Sequence, residues 1–206
     1  MDRIKRLKIE YNQQAIEIFS AAFAEDPLFL FAFPEIELRK RLTKLMYEFV
    51  VNDMVTALNL TLNGYFIDNV LAGCCIYTTP ESSGWNDKMN DSIMLMRKKA
   101  NDACGDEGAK RINLIGEYAR LEGYAPGVEY FYGNELAVRN DFRKKGIGKG
   151  LTEFMWEECK AHPDANGVLL DTVNENNVKL YEKWGWELKK EVNFHTLKKY
   201  FMWRGK

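Results

Sequence analysis

The chain has 206 residues, a net charge of −1, and a composition that is 46% hydrophobic and 29% charged. That profile fits an ordinary globular protein with one sizeable core, or at most two small ones. It gives no global reason to expect nucleic acid or an anionic membrane as a partner, and no apolar run reaches the roughly 20 residues that span a bilayer.

The opening "MDRIKRLKIEYN" carries charges but no apolar stretch of the kind a signal peptide needs. Residues 3–9 read as a short strand, and 12–24 as a helix with Ala15, Ile18, Phe19, Ala22 and Phe23 on one face. "EDPLFLFAFPE" breaks the pattern at Pro27 and Pro34. A second helix over about 35–55 turns Leu42, Leu45, Met46 and Phe49 inward. "GYFID" and "LAGCCIYTT" form two strands around a turn at Asp68-Asn69-Val70. Residues 85–121 are helical, divided at "CGDEG", and "EGYAPG" is a loop.

The second half is more regular. "VEYFYGNELAV" (128–138) reads as a central strand, with Val128, Tyr130, Tyr132, Asn134, Leu136 and Val138 on one face. The next helix carries Ile147, Leu151, Phe154, Met155 and Cys159 and stops at His162-Pro163. "GVLLDTV" (167–173) is a buried strand. "NENNVKLYEKWG" is a helix capped by Asn174 or Asn176 and stopped at Gly185. "WELKKEVNF" and "KKYFMWR" are closing strands. Cys74, Cys75, Cys104 and Cys159 show no CxxC spacing, and the only histidines are His162 and His195. These point to reduced thiols in a cytoplasmic protein with no metal site.

One stretch is locally unfavourable. "RNDFRKKGIGKG" (139–150) sets Arg139, Arg143, Lys144, Lys145 and Lys149 against the single acid Asp141 at a helix start. Cations there oppose the helix dipole at about 0.3–1 kcal/mol each. Glycines inside the helix add about 1 kcal/mol each relative to alanine. A bound anion would make both sensible, because strand, glycine-rich turn and helix together present amide groups to a phosphate. The spacing is neither GxxxxGK[ST] nor GxGxxG. Arg143-Lys144-Lys145-Gly146-Ile147-Gly148 fits R-x-x-G-x-G instead. The bland alternative is a solvated basic turn.

That pattern, with "ELAV" shortly before it and "NENNVKLYEKWGW" after it, resembles the coenzyme A pyrophosphate loop and second signature of the GNAT superfamily of acyl-CoA-dependent N-acyltransferases. Asn174, Tyr181, Glu182, Lys183 and Gly185 match the signature N-x-x-A-x-x-x-Y-E-K-x-G-F, while Asn177 replaces its small residue and Trp186 its last aromatic. "AFAEDPLFLFAFPE", "YTTPES", "LLDTVNENNVKLYEKWGW" and "FMWR" are similar to the puromycin N-acetyltransferase-like branch.

The resemblance implies a single α/β domain over 1–206: an acceptor-side part (1–125) and an acyl-CoA-binding half (126–206). Its sheet would be mixed, mostly antiparallel, of about seven strands, opened at its centre and covered by helices on both faces. It implies acetyl-CoA as co-substrate, and a primary amine on a small molecule as acceptor in a ternary complex. Arg143, Lys144, Lys145, Gly146, Ile147, Gly148 and Lys149 would hold the pyrophosphate. Leu136, Ala137 and Val138 would meet the pantetheine arm and acyl carbonyl, a contact that doubles as a small oxyanion site. Asn174 and Asn177 would contact the cofactor.

Tyr181 would be the general acid and Glu135 the general base. The alternatives are a core tyrosine and a solvent-facing strand glutamate. Tyr132, Glu81 and His195 are weaker candidates for the base. Phe29, Phe31, Phe33, Tyr77, Trp85 and Phe194 would line an aromatic acceptor pocket from 25–35, 77–86 and a 193–200 loop. A homodimer is left open. The rivals are a catalytically silent acyl-CoA-binding module and a nucleotide-binding protein that uses the same loop.

Overall fold

A computed structural model of the chain describes residues 3–84 and 86–206, so Trp85 lies outside the described residues. One seven-stranded sheet runs in the order β1-β2-β3-β4-β5-β7-β6. Its strands are β1 Ile4–Arg6, β2 Thr61–Ile67, β3 Val70–Thr78, β4 Phe131–Val138, β5 Gly167–Thr172, β6 Glu187–Phe194 and β7 Leu197–Gly205. Every neighbouring pair is antiparallel except β4 and β5. The parallel pair needs a crossover, supplied by α7 (Ile147–Ala161).

The sheet separates two cores. Strand alternation sends Cys74 and Ile76 to one face and Cys75 and Tyr77 to the other, and a register shift opposite Tyr65 and Phe66 places Leu71 with the first pair and Ala72 with the second. The first face is covered by α1 (Asn12–Phe23), α2 (Pro27–Ala32), α3 (Ile36–Phe49), α5 (Asp87–Cys104) and α6 (Asp106–Arg120). A short α4 (Val55–Ala57) follows α3 after a π-helical turn, Val50–Met54. The second face is covered by α7 and α8 (Glu175–Lys183). On α7, Ile147, Leu151, Met155, Trp156 and Cys159 form one buried stripe. Burying each large apolar side chain of this kind contributes about 1.5–3 kcal/mol. Among the described residues no helix is long and apolar enough to cross a membrane.

Several local details differ from the sequence expectation. Pro27 starts a helix rather than merely ending one: Asp26 caps it, accepting from the Leu28 amide at 2.9 Å, and Pro at the first helical position has no amide to satisfy. The helix expected over 35–55 ends at Phe49 and continues through the π-helical turn. On α3 the buried side chains include Arg39, Thr43 and Tyr47, while Leu45 and Met46 are only partly buried. Arg39 is 6% exposed, yet donates to the carbonyls of Ala24 (2.7 Å), Phe33 (3.0 Å) and Pro34 (3.0 Å), which fixes the α1–α2–α3 connections. The 193–200 segment is a hairpin, with β6 and β7 joined only through His195 and Thr196.

The expected single face on 128–138 is overturned. Val128 and Tyr130 precede the strand, and pairing slips between Ile76↔Glu135 and Tyr77↔Gly133, leaving Asn134 unopposed. This bulge inverts the alternation. Phe131 lies on the α7 face before it, and Leu136 and Val138 lie on that face after it. Tyr132, Glu135 and Ala137 look toward the opposite core, where Tyr47 meets Glu135.

Phe19 anchors that core, fully buried and stacked on Tyr47 at 5.3 Å. Phe19→Ala should destabilise the protein by about 3–5 kcal/mol, read as a lowered urea midpoint at unchanged slope. A shift under about 1 kcal/mol would show that the cavity collapses or that this layer is loosely packed.

Candidate active site

The site begins where β4 loses its neighbour. Pairing of β4 with β5 covers only Phe131↔Val168, Tyr132↔Leu169 and Gly133↔Leu170. Beyond Gly133, β4 follows β3 alone up to Val138. The Arg139 amide donates to the Ala72 carbonyl at 3.0 Å, so by antiparallel alternation the peptide groups of Glu135 and Ala137 also face β3. Those of Leu136 and Val138 therefore face the open edge. Of the expected contact residues, Leu136 and Val138 offer backbone groups there and Ala137 does not.

The open edge leads to the basic turn. Asn140–Phe142 form one 3₁₀ turn; then Lys144 (φ 64°) and Gly146 (φ 77°) adopt left-handed conformations before α7 begins. Glycine takes this conformation without strain and lysine does not, so Lys144 is held there by its surroundings. Gly73 lets the turn approach the sheet, since a Cβ there would sit 2.8 Å from the Ala137 carbonyl and 3.0 Å from Ile147. The first amides of α7 have no intrahelical acceptor. Arg139 pairs with Asp141 at 2.7 Å, and Lys145 lies 4.6 Å over the Phe142 ring. Among the described residues the side chains of Arg143, Lys144 and Lys149 pair with no acid. The arrangement fits a doubly charged phosphate ester at the end of the open edge.

Opposite stands α8. Asn174 caps it, accepting from the Asn176 amide at 3.0 Å, and Asn177 donates to Thr172 Oγ1 at 3.2 Å. Both expected cofactor contacts therefore have side-chain partners within the protein. Tyr181 is 9% exposed and packs edge-on to Trp184 at 5.6 Å. A Cβ at Gly148 would lie 3.8 Å from Trp184 and 3.7 Å from Leu136, so the start of α7, the β4 edge and α8 meet. The Tyr181 hydroxyl has no hydrogen-bond partner among the described residues. Burial, with the charges of Asp171 and Asp26 added, pushes it up to about 12, so it stays protonated.

On the α1–α3 side the opening meets carboxylates. Glu135 is half-buried and accepts from Tyr47 at 2.9 Å. Burial pushes it up to about 8; the Tyr47 bond opposes this, and Asp171 and Asp26 add to it. Burial also pushes Asp26 up to about 6, opposed by the Leu28 amide and reinforced by Asp171. Asp171, on β5, accepts from Tyr118 at 2.5 Å and from Tyr132, and Lys199 Nζ lies 3.6 Å away. Lys199 is 2% exposed and also donates to the carbonyls of Tyr118 (3.1 Å) and Leu121 (3.4 Å) at the end of α6. Burial lowers its pKa, and Asp171 opposes that shift.

The weaker candidates are disposed differently. Tyr132 is tied to Asp171. Glu81 pairs with His162 at 2.5 Å and with Thr79 at 2.7 Å, on the exposed surface. His195 sits in the β6–β7 turn beside Phe194 (4.7 Å) and Phe31 (5.3 Å). Of the expected aromatic wall, Phe31 and Phe194 join His195 and Tyr118. Phe29 and Phe33 are core, and Tyr77 stacks on Phe131 and donates to Glu158. Asp26, Asp171, Tyr47 and Lys199 were missed in the sequence. An acid inside "GVLLDTV" and a lysine directly before the aromatic residues of the last strand were the available signals.

The model of the Acetyltransferase (GNAT) domain family matches residues 104–188, from the end of α5 to β6. No curated protein matches in sequence. Among solved structures, a histone acetyltransferase HPA2-related acetyltransferase from Corynebacterium glutamicum superposes with a TM-score of 0.67 at 13% identity, covering 98% of this chain and 94% of that one. Arylalkylamine N-acetyltransferase 2 from Aedes aegypti gives 0.59 at 16% identity, covering 98% of each. Arabidopsis thaliana NAA60, solved in complex with acetyl-CoA, gives 0.53 at 14% identity, covering 98% and 97%. The domain match over part of the chain, taken with a sheet opened between its fourth and fifth strands, makes the chain similar to the GNAT acetyltransferases, whose fold it shares.

Proposed function

We propose that the protein is a cytoplasmic N-acetyltransferase that moves an acetyl group from acetyl-CoA to a primary amine on a small molecule, directly in a ternary complex. One observation carries this reading: the unpaired edge of β4 runs from the Glu135 carboxylate to the amide-rich start of α7, with Tyr181 across from it. The structural neighbours include an arylalkylamine N-acetyltransferase and an agmatine N-acetyltransferase, which fits an amine acceptor. The likeness to the puromycin N-acetyltransferase-like branch also fits a small molecule.

Acetyl-CoA, when bound, supplies an acetyl group activated as a thioester. Gly146, Ile147, Gly148 and Lys149 offer backbone amides, and Arg143, Lys144, Lys145 and Lys149 offer charge, to its pyrophosphate. Leu136 and Val138 offer strand-type hydrogen bonds along the open edge, one of which polarises the acyl carbonyl. Glu135 takes the proton of the attacking amine, and its raised pKa suits it to do so near neutral pH. Tyr181 returns a proton at the departing sulfur, for which its buried, protonated phenol is suited.

Thiol release from acetyl-CoA with a panel of amines tests the reading; binding without release would leave a silent acyl-CoA-binding module. Gly148→Asp should abolish binding measured by calorimetry, because it places an anion at the pyrophosphate, whereas Gly148→Ala meets only ordinary contacts and should fold normally. Unchanged affinity in the aspartate variant would remove the loop assignment.

Tyr181→Phe should lower kcat by about 10²–10⁴-fold with little change in acetyl-CoA affinity. Parallel loss of both would indicate a packing role.

Glu135 also has a signature independent of turnover. Its folded pKa of about 8 lies above the ordinary carboxylate value of 4.5, so between these values the native state holds a proton that the unfolded chain releases. Stability from this group therefore falls as pH rises through that window. Glu135→Gln should flatten this decline in urea midpoint between about pH 4.5 and 8, and remove the same ionisation from the rate profile. Identical slopes in both proteins would assign the ionisation elsewhere.

A further inference from the structure

We infer that Trp184 is a carrier-contacting residue. Its indole forms the apolar wall of the cleft beside the open edge of β4, and the arm of acyl-CoA between thioester and pyrophosphate packs on it. This rests on the N-acetyltransferase reading and names a further residue of the same site.

The end of α8 fixes where this side chain stands. Gly185 takes a left-handed conformation (φ 86°), and the Trp184 and Trp186 amides both donate to the Tyr181 carbonyl, at 2.9 and 3.0 Å. This closure sets both tryptophans against the Tyr181 ring, with centroids 5.6 Å away for Trp184 and 5.8 Å for Trp186. The two then differ. Trp186 is 3% exposed and belongs to the core between the sheet, α7 and α8. Trp184 is only partly buried and reaches across to α7.

The far edge of the indole meets the first turn of α7. A Cβ built on Gly148 would lie 3.8 Å from Trp184 Cη2, 3.7 Å from Leu136 Cδ2 and 3.9 Å from Val138 Cγ2. Side chains of α8 and β4 thus converge on one point at the start of α7. That point joins the two parts of the proposed carrier site: Leu136 and Val138 on the open edge, and Gly148 in the turn. All four residues are half-buried, although β4 is the central strand of a sheet covered on both faces. Apolar groups that touch one another at a sheet centre and still keep accessible surface line a cleft. The basic turn gives that cleft its charge, and the strand edge gives it hydrogen bonds. Neither accounts for a large aromatic ring set between them. The carrier's arm is an uncharged chain of methyl, methylene and amide groups. An apolar wall beside a strand edge complements such a chain.

The test is calorimetry on the intact protein with CoA and with ADP, which carries a pyrophosphate without the arm. Trp184→Ala should weaken CoA binding by about tenfold or more and leave ADP affinity unchanged. Retained ADP binding also shows that the basic turn still folds. Trp184→Phe keeps an apolar ring and should keep most of the CoA affinity. Tryptophan emission is the second readout, and it decides where ADP is held too weakly to measure. CoA should change the emission of the unmodified protein, and Trp184→Phe should remove that change while still binding CoA. The inference is overturned if Trp184→Ala binds CoA as tightly as the unmodified protein, or loses CoA and ADP in equal proportion. It is also overturned if CoA leaves the emission unchanged, or changes it equally in Trp184→Phe. Each of these results leaves the transferase reading intact. Failure of the unmodified protein to bind CoA overturns both.

Discussion

The site depends on the interruption of one strand pairing. β4 and β5 share a ladder over three residue pairs and then part, and beyond Gly133 one edge of β4 is left without a strand. Unpaired backbone groups inside a sheet are costly unless water or a ligand satisfies them. A bulge at Asn134 coincides with the parting and reverses which side chains face which core. It puts Glu135 against Tyr47 while Leu136 and Val138 carry the α7 packing. The opening, the orientation of Glu135 and the seat of α7 thus share one cause.

The helical framework around this break holds acids rather than hydrophobes in place. Arg39 ties the connections on either side of Asp26 to α3, and Tyr47 links α3 to Glu135. Lys199, Asp171, Tyr118 and Tyr132 join β7, β5, α6 and β4 in one network. Breaking a buried charge network by removing one partner is expensive, because the remaining charge stays desolvated. The same burial that makes these groups costly to the fold moves the titration of Glu135 and Asp26 toward neutral pH. The same burial therefore sets both what these carboxylates cost the fold and the pH at which they titrate.

Much of this was legible in the chain before folding was considered. The glycine-rich basic turn, the helix stop at Gly185 and the division of 85–121 were marked by residues whose local chemistry leaves few options. The bulge was not legible, because Tyr132, Asn134 and Leu136 alternate smoothly and pairing with β3 alone decides where the register slips. Nor was the carboxylate cluster. Asp26, Glu135 and Asp171 are 36 to 145 residues apart in sequence, and nothing local to any of them marks its burial or its tertiary partners. Asn174 and Asn177 show the converse, where motif membership pointed to a ligand and local geometry supplied partners within the protein.

Amide hydrogen exchange at Leu136 and Val138, with and without acetyl-CoA, tests the central claim most directly. If the open edge receives the carrier's arm, both amides should slow markedly on binding, while Glu135 and Ala137, already directed at β3, change little. Saturable binding that leaves Leu136 and Val138 exchanging at their unliganded rates would contradict it.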